Sequence, residues 1–382
     1  MMPATPHRIG YVIGGLGKGG AEYQLAELLR GLDRERFAPC VFVLETGGYW
    51  VEPIRALGVP VVEIPRRGSA DVSRLVRLRR ALRDFAPEVL HTVLWPGNSY
   101  GRLASLGLRI PVVIAAERNA IARPVWQVLV ERALDRGTDA YLVNCAAVAA
   151  VLEQREGVAR DKIRIIPNGI DLGRLPPFVA DRRAARVASG LIAERRLVAQ
   201  VGRLAAQKDH PTFLRAAAAV SAAVADVDAL VVGDGEERAA LEALAQGLGL
   251  GGRVRFLGLR HDVPALLGAV DVLALTSRFE GFPNVVLEAM ATGAVVVAAD
   301  VGGCRELVTP EETGLLVPPG APEAFAAAIL RVLGDAALAR RLALAARRRV
   351  ETEFTLDAMV RRTESAYAEL LRASGRPLAA AA

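Results

Sequence analysis

Two carboxylates lie on either side of a glycine-containing turn in the second half of the chain. Glu280 is part of the segment SRFEGFP, and Glu288 follows eight residues later. The short apolar run Val272–Leu275 predicts a buried strand, and Asn284 is a preferred N-cap, so we expect a helix to begin there. A helix start favours phosphate, while nearby carboxylates accept hydrogen bonds from sugar or ribose hydroxyls. The segment therefore predicts a nucleotide-sugar site.

A second strand, loop and helix carry two cations. The predicted strand Leu197–Val201 is followed by GRLAAQKDHP, in which Gly202 and Arg203 come at the strand end and Lys208 comes before the helix. Only three of the 48 basic residues are lysines, so a lysine in such a loop is informative. Two cations at a helix start can neutralise a diphosphate, and the simpler alternative is a pair of surface charges.

Two glycine-rich turns also follow predicted strands. The sequence GGLGKGG at 14–20 lacks the Ser or Thr of a Walker loop, and no acidic residue ends a second strand where a dinucleotide site would need it. Either it is a purely structural tight turn, or its backbone approaches a phosphate or sugar closely. We adopt the second interpretation for this loop and for VVGDGE at 231–236. The glycines concerned are Gly15, Gly17, Gly19 and Gly20 in the first loop, and Gly233 and Gly235 in the second.

Polar residues end two strands of the first half. His91 is expected at the C-terminal end of its strand, where an imidazole can bind a sugar hydroxyl or exchange a proton. Glu117, Arg118 and Asn119 end the next strand and are candidates for the acceptor side.

No metal site is predicted. The pair Asp226 and Asp228 precedes the predicted strand Leu230–Val232, so it should lie at the N-terminal edge of the sheet, away from a ligand. The three cysteines match no metal or disulfide pattern, which favours a reduced, cytosolic setting. No apolar run reaches the ~18 residues of a membrane span. The net charge of +6 comes from scattered arginines and indicates no nucleic-acid partner.

These candidate residues belong to two series of alternating strands and helices. Continuous apolar strands between helices predict parallel sheets that are covered on both faces. The first series has strands at Arg8–Ile13, Pro39–Leu44, Val59–Ile64, Glu88–Val93, Pro111–Ala116, Ala140–Asn144 and Ile163–Pro167, with helices at Ala21–Leu32, Ser73–Phe85, Ser99–Gly107 and Pro124–Gly137. The second has strands at Leu197–Val201, Leu230–Val232, Val254–Leu257, Val272–Leu275 and Val295–Ala298, and three helical segments follow from Pro322 to about Leu371.

A chain of 382 residues is long enough for two domains. We predict an α/β protein with two doubly wound, Rossmann-like domains that face a central cleft, where ligands bind at the carboxyl ends of the strands. Residues 1–170 would form the acceptor domain, 171–192 a linker and 193–353 the donor domain. A helix and tail at 354–382 would cross back toward the first domain.

The predicted helix Ser73–Phe85 has leucines on one stripe and arginines mostly opposite. Such a basic amphipathic helix could contact an anionic membrane surface. The alternative, which we favour, is a core-facing stripe with solvated arginines.

In order and spacing, several segments resemble the retaining glycosyltransferases of family 4, which have the GT-B architecture. The resemblance covers nearly the whole chain and is carried by IPNGID, GRLAAQKDH, VVGDGEER, RFLG, SRFEGFPNVVLEAMATGAVVVAADVGGCRELV and TGLLVPPG. It implies that Arg203 and Lys208 bind the donor diphosphate, that Glu288 binds ribose and that Glu280 faces the transferred sugar. It further implies that Gly281 and the main chain of Phe282, Pro283 and Asn284 contact the donor, and that the 14–20 loop closes over the reaction centre beside His91.

The resemblance implies transfer of a hexosyl unit from a nucleoside-diphosphate sugar to a sugar or lipid-linked glycan, without a metal or other cofactor. The setting would be bacterial cell-surface polysaccharide or glycolipid synthesis, in the cytoplasm and with possible peripheral contact at the inner face of the membrane. Two alternatives stay open: a nucleotide-sugar epimerase of the same architecture, and a non-catalytic protein that binds nucleotide sugars. The donor base, the sugar and the acceptor are not encoded in any motif found.

Overall fold

A computed structural model describes residues 5–68, 71–120, 123–178 and 182–375. The chain divides into two compact units. The first contains the residues up to Gly169 and those from Leu356 onward, and the second is Ile170–Thr355. The segment predicted as a linker, 171–192, lies within the second unit.

The first unit is built on a seven-stranded parallel sheet, and the seven predicted strands are confirmed with small shifts at their ends. Its strand order is β3-β2-β1-β4-β5-β6-β7. Since β1 has β2 on one side and β4 on the other, the chain reverses its direction across the sheet at this point. The strands are β1 His7–Ile13, β2 Phe37–Val43, β3 Val61–Glu63, β4 Val89–Val93, β5 Val112–Glu117, β6 Ala140–Val143 and β7 Ile163–Ile165.

Helices connect these strands and cover the sheet. They are α1 Gly20–Gly31, α2 Val51–Ala56, α3 Ser73–Phe85, α4 Leu94–Ser105, α5 Val125–Asp135 and α6 Ala146–Val151, with short helical turns at Leu152–Glu156 and Arg160–Lys162. The helix predicted to begin at Ser99 begins at Leu94 instead. Pro96 does not prevent this, because the first turn of a helix needs no N–H at that position.

The second unit has a six-stranded parallel sheet of order β10-β9-β8-β11-β12-β13. Five of its strands were predicted, and the sixth is a three-residue edge strand that the sequence pattern did not separate from its flanking loops. The strands are β8 Arg196–Val201, β9 Val227–Val232, β10 Val254–Gly258, β11 Val272–Leu275, β12 Val295–Ala299 and β13 Leu315–Val317.

The helices of this unit begin inside the segment predicted as a linker. There α7 Arg182–Ala188 is fixed by Arg186, which donates to Asp271 at 2.6 Å. The remaining helices are α8 His210–Ala223, α9 Arg238–Gly247, α10 Val263–Ala269, α11 Asn284–Thr292, α12 Cys304–Leu307, α13 Pro322–Gly334 and α14 Ala336–Glu353, with short 3-10 turns at Leu172–Arg174 and Ala206–Lys208.

The last helix, α15 Leu356–Ala373, belongs to the first unit. Its side chains Met359, Val360, Tyr367 and Leu371 are part of the same buried cluster as the β1 strand. The first unit is therefore assembled from both ends of the chain.

Candidate active site

The site in the second unit follows from the strand order. Strands β8 and β11 are neighbours, and the chain leaves them toward opposite edges of the sheet. The loops after them therefore diverge and leave a crevice at the carboxyl end of the sheet, which is where open α/β sheets bind ligands. Lys208 follows β8 and Glu280 follows β11.

The structure brings these two side chains together. Lys208 Nζ lies 2.6 Å from Glu280 Oε1. Glu280 is buried, with 6% of its surface exposed. A carboxylate that is nearly removed from water requires such a partner, because an unpaired buried charge is costly. The pair places a cation, a group suited to phosphate, and a carboxylate, a group suited to hydroxyls, at one point.

Buried polar contacts at the ends of β8 and β11 hold the Lys208–Glu280 pair in place. Thr276 Oγ1 lies 2.9 Å from Gln200 Oε1 and 3.1 Å from the Lys208 carbonyl, which also accepts a hydrogen bond from Gln200 Nε2 at 2.6 Å. Gln207 Nε2 donates to the Phe279 carbonyl at 3.1 Å. The two loops are therefore tied to each other, and these polar strand ends were not identified from sequence. A Gln and a Thr in otherwise apolar strand segments were the available signal.

Glycines allow close backbone packing around this crevice. A Cβ at Gly233 would lie 1.9 Å from the Gly202 carbonyl oxygen, and one at Gly302 would lie 1.9 Å from the Glu280 carbonyl oxygen. Gly233 has a φ of +134°. Gly235 follows in the same turn. Three glycines predicted as site residues thus pack at the ends of β8 and β9, namely Gly202, Gly233 and Gly235. Gly302 packs in the same way beside Glu280 and was not predicted.

Helix α11 begins beside Glu280, but its cap differs from the prediction. Asn284 is the first helical residue, the N-cap is Pro283, and no side chain caps the helix. Phe282 is buried against Phe354 with ring centroids 5.5 Å apart, and Gly281 accepts from the Gly303 N–H at 2.8 Å. The positive end of this helix therefore lies next to the Lys208–Glu280 pair.

Glu288 and Arg203 complete the predicted donor residues. Glu288 lies about one turn inside α11, is part-buried, and has its pKa raised to about 7 because its carboxyl group is shielded from water. Arg203 is exposed just after β8. One titratable carboxyl and one exposed guanidinium are thus presented at the same end of the sheet.

Two further buried polar groups lie beside these loops. His210 begins α8, directly after Lys208 and Asp209, and Ser277 follows Thr276. Within the described ranges neither side chain has a hydrogen-bond partner. Burial lowers the pKa of His210 to about 4, so its ring is neutral at physiological pH. Neither was predicted as a site residue.

In the first unit, the 14–20 loop follows β1 at the chain's point of reversal. Gly15 and Gly17 lie in the loop, Gly19 precedes α1, and Gly20 is its first residue. A cavity of about 520 Å³ lies at this end of the sheet. It is lined by Gly14, Leu44, Glu45, Thr46, Pro65, Arg66, Arg74, Trp95, Pro96, Ser99 and Tyr100.

His91 does not end its strand as predicted. It is in the middle of β4 and is 2% exposed. Its Nδ1 is paired with the Tyr367 hydroxyl at 2.6 Å, and that hydroxyl lies 3.0 Å from the hydroxyl of Tyr11. Burial lowers the pKa of His91 to about 3. A neutral imidazole in this position anchors α15 to the sheet.

Glu117 is the last residue of β5, as predicted, but its side chain is buried. It accepts from Asn98 and is paired with Arg123, whose guanidinium lies 2.9 Å from Glu156 and 3.6 Å from Glu131. Burial raises the pKa of Glu156 to about 7. The carboxylate of Glu117 therefore belongs to a buried ionic cluster inside the unit.

The next two residues, Arg118 and Asn119, are less buried than Glu117. Arg118 donates to Asn168 at 2.7 Å, and burial lowers the pKa of its guanidinium to about 10. Asn119 is exposed. Of the three predicted residues, only Asn119 is fully open to solvent.

The Asp226 and Asp228 carboxylates are paired with arginines. Asp226 lies 2.6 Å from Arg196, and Asp228 lies 2.6 Å from Arg195 and 3.4 Å from Arg253. Strand β9 begins at Val227, so Asp228 is within its first residues rather than before it. Among the described residues, no three His, Cys, Asp or Glu side chains converge as a metal site would require.

No helix within the described ranges is both long enough and apolar enough to cross a bilayer.

Family models match both halves of the chain. The model for glycosyl transferases group 1 matches residues 181–349, and the model for glycosyltransferase family 4 matches residues 18–174.

Two curated relatives and one solved structure illustrate the similarity. A D-inositol 3-phosphate glycosyltransferase of Salinispora tropica is 31% identical, over 82% of this chain and 70% of its own. A UDP-Gal:alpha-D-GlcNAc-diphosphoundecaprenol alpha-1,3-galactosyltransferase of Escherichia coli is 27% identical, over 83% and 88%. The structure of Anabaena HepE in complex with UDP-glucose covers 95% of this chain and 99% of its own, with a TM-score of 0.86 at 24% identity, and so shares the fold.

Proposed function

Since this chain belongs to the family 4 glycosyltransferases of group 1 and is a hexosyltransferase, we propose that it transfers a hexosyl unit from a nucleoside-diphosphate sugar to an acceptor hydroxyl with retention of configuration. The observation that carries this proposal is the Lys208–Glu280 pair at the reversal point of the second sheet. The acceptor is a sugar or lipid-linked glycan of cell-surface polysaccharide or glycolipid synthesis. The name of the Escherichia coli relative, which specifies a diphosphoundecaprenol-linked sugar, supports that class.

Stabilising the leaving diphosphate is the main catalytic task. Lys208 exchanges Glu280 for the phosphate, while exposed Arg203 and the positive end of α11 add charge at the same place. Glu280, released from Lys208, accepts hydrogen bonds from hydroxyls of the transferred sugar. The low exposure of Glu280 means that the charges of Lys208 and Glu280 interact in a poorly hydrated place, where they are stronger than in water.

No side chain of the site is placed as a nucleophile in this proposal. The bond from the anomeric carbon to the phosphate oxygen breaks, and the acceptor oxygen bonds to the same face of that carbon. The acceptor proton passes to the departing phosphate oxygen. Glu288 binds the ribose hydroxyls, which orients the nucleotide.

We propose that the reaction needs no metal, because Lys208, Arg203 and the helix end supply the charge that a divalent cation would otherwise provide. Treatment with a chelator should leave turnover unchanged. Activity that disappears in chelator and returns with manganese would contradict this.

The test is a screen of nucleotide sugars for thermal stabilisation, beginning with UDP-galactose, followed by product analysis with lipid-linked and free sugar acceptors. We expect one donor to raise the melting temperature and to give an α-linked product from an α-linked donor. Conversion of the donor without an acceptor would identify an epimerase instead. Binding without turnover over the acceptor set would favour a non-catalytic sensor.

A further inference from the structure

Three large apolar side chains are exposed on one helix of the first unit. Val125, Trp126 and Leu129 have 77%, 59% and 60% of their surfaces exposed. Residues of a helix advance by about 100° each, so these three fall within one third of its circumference. We call them the α5 apolar face. Single exposed apolar residues are ordinary, whereas a group of three on one face marks an interaction surface.

Exposed cations continue this face along the helix. Arg132 and Arg136 come one and two turns after Leu129 on the same side, and both are exposed. The Arg132 guanidinium also donates to the backbone carbonyls of Glu156 and Arg155 at 3.1 and 3.2 Å, which holds its charge in place. In the part of the chain that the structure describes, no carboxylate is paired with either. The acidic residues of α5 are occupied elsewhere, since Glu131 is buried with Arg102 and Asp135 is paired with Lys162 at 3.1 Å. The face is therefore apolar at its start and positive at its end.

The apolar part is next to the cavity of this unit. Helix α5 follows β5, so its start lies at the carboxyl edge of the sheet. The ring of Trp126 meets that of Trp95 edge-on at 5.7 Å, and Trp95 lines the 520 Å³ cavity. A group emerging from whatever covers this face would be close to that cavity.

Helix α3, the other candidate for such a surface, uses three of its five arginines internally, and the exposed Arg80 and Arg83 both lie beside the Asp84 carboxylate at 3.9 and 3.8 Å. Arg74 is buried and bonded to the Ile64 carbonyl, Arg77 is paired with Asp71 at 2.6 Å, and Arg79 donates to the Ala104 carbonyl. Its leucines Leu78 and Leu82 are fully buried. The interpretation of α3 as a core-facing helix is thus supported, and the basic amphipathic surface lies on α5.

We propose that the α5 apolar face docks the protein on the surface of an anionic lipid bilayer. Trp126 and its neighbours insert at the level of the headgroups, where an indole is favoured, and Arg132 and Arg136 meet anionic headgroups. The cavity beside the face then opens toward the headgroup layer. Lipid binding is independent of the proposed function, and only the delivery of a lipid-linked acceptor to the cavity rests on it.

The experiment is sedimentation of the full chain with vesicles of phosphatidylcholine, with and without phosphatidylglycerol. The double variant Trp126→Ser/Leu129→Ser should lower the partition coefficient about tenfold or more. A matched control is Val72→Ser/Val76→Ser, which removes two apolar side chains that are 77% and 65% exposed near α3. It should bind as the unsubstituted protein does. Arg136→Gln should weaken binding about fivefold, and only to vesicles with phosphatidylglycerol.

Lipids with brominated chains supply a second measurement. They should quench tryptophan fluorescence, and the quenching should be weaker in Trp126→Phe, where the neighbouring Trp95 still reports, and unchanged in Trp50→Phe. Because the replaced side chains of α5 are exposed, melting temperatures should not change, and donor binding measured on the same variants should stay intact. A chain that ignores vesicles, or one whose binding survives Trp126→Ser/Leu129→Ser, would overturn the proposal. So would self-association through this face without lipid binding.

Discussion

The carboxyl edges of the two sheets share a topology but differ in how their polar side chains are held. In the second unit, Thr276 and Gln200 tie the loop after β11 to the loop after β8, so Lys208 and Glu280 are held in contact. In the first unit, the corresponding edge is an open cavity whose Arg66 and Glu45 are exposed.

This difference corresponds to the two substrates of the proposed reaction. Buried polar groups need their partners, so a site built on them tolerates few replacements. Exposed groups at strand ends can be exchanged at little cost to stability, so such an edge can change its ligand. We call the edge of the second sheet at Lys208 and Glu280 the fixed edge, and it suits a nucleotide-sugar donor. The edge of the first sheet at Arg66 and Glu45 can vary, and it suits the acceptor.

The largest expected effect tests whether the first unit depends on the buried ionic cluster of Glu117, Arg123 and Glu156, which lies beside the open edge. Arg123→Ala leaves Glu117 and Glu156 without their partner and should lower the free energy of unfolding by about 3–5 kcal/mol, measured by urea denaturation. Arg136→Ala, an exposed arginine of the same helix region, should change it by less than about 0.5 kcal/mol. A loss below about 1 kcal/mol for Arg123→Ala would show that the cluster is not required.

The next prediction concerns the fixed edge. Lys208→Ala removes the charge-assisted contact, worth about 1.5–3 kcal/mol, and should reduce turnover about 10- to 100-fold. Arg203→Ala should fall in the same range. Lys162→Ala is the control, because this lysine is paired with Asp135 in the first unit. Near-full activity in both Lys208→Ala and Arg203→Ala would refute the diphosphate assignment.

A smaller effect is expected at the anchor of α15. Tyr367→Phe removes the partner of His91 Nδ1 and should cost about 1–3 kcal/mol of stability, because the imidazole is buried. Tyr11→Phe keeps that bond and should cost less. Donor affinity should be unchanged in both variants. A specific fall in kcat without loss of stability in Tyr367→Phe would instead indicate that His91 acts on substrate.

The smallest expected effect is a pH dependence of donor affinity at the fixed edge. With a pKa near 7, Glu288 would be only about one tenth ionised at pH 6, so donor affinity should weaken several-fold between pH 8 and 6. Glu288→Gln should flatten this profile. Calorimetric titration with the donor reports this group rather than Glu156, which has a similar pKa but lies in the first unit.

In the absence of the donor, the free energy of unfolding changes with pH in the opposite direction from the donor affinity. Burial raises the pKa of Glu288 above its unfolded value, so the native state holds the proton more tightly. The contribution of Glu288 to the free energy of unfolding is complete below its unfolded pKa and is lost as the pH rises through about 7. An affinity that rises while stability falls over the same interval would identify Glu288 as the group responsible.

The candidate site of the second unit was largely predictable, because Lys208 and Glu280 each follow a buried strand that the sequence pattern identifies. Lys208 and Glu280 were each placed after a buried strand, and strand order brings them together. Their contact was not predictable, since it depends on β8 and β11 being neighbours.

The errors have local physical reasons. His91 was expected at a strand end, although the predicted strand Glu88–Val93 already placed Thr92 and Val93 after it, and the structure keeps both residues in β4. Glu117 was expected to be open, although its partner Arg123 follows only six residues later and folds back over it. The cavity lining comes from separate elements, including the loop at Arg66 and the start of α4 at Trp95, so no contiguous motif marks it.

The place of α15 in the first unit has a consequence for biosynthesis. The core that contains β1 also needs Met359, Tyr367 and Leu371, which are translated only after the whole of the second unit. The second unit, which ends at Thr355, is complete earlier. The half of the chain that leaves the ribosome first is therefore the half whose folding finishes last, and a nascent chain stalled before residue 356 would carry a closed second unit and an open first one.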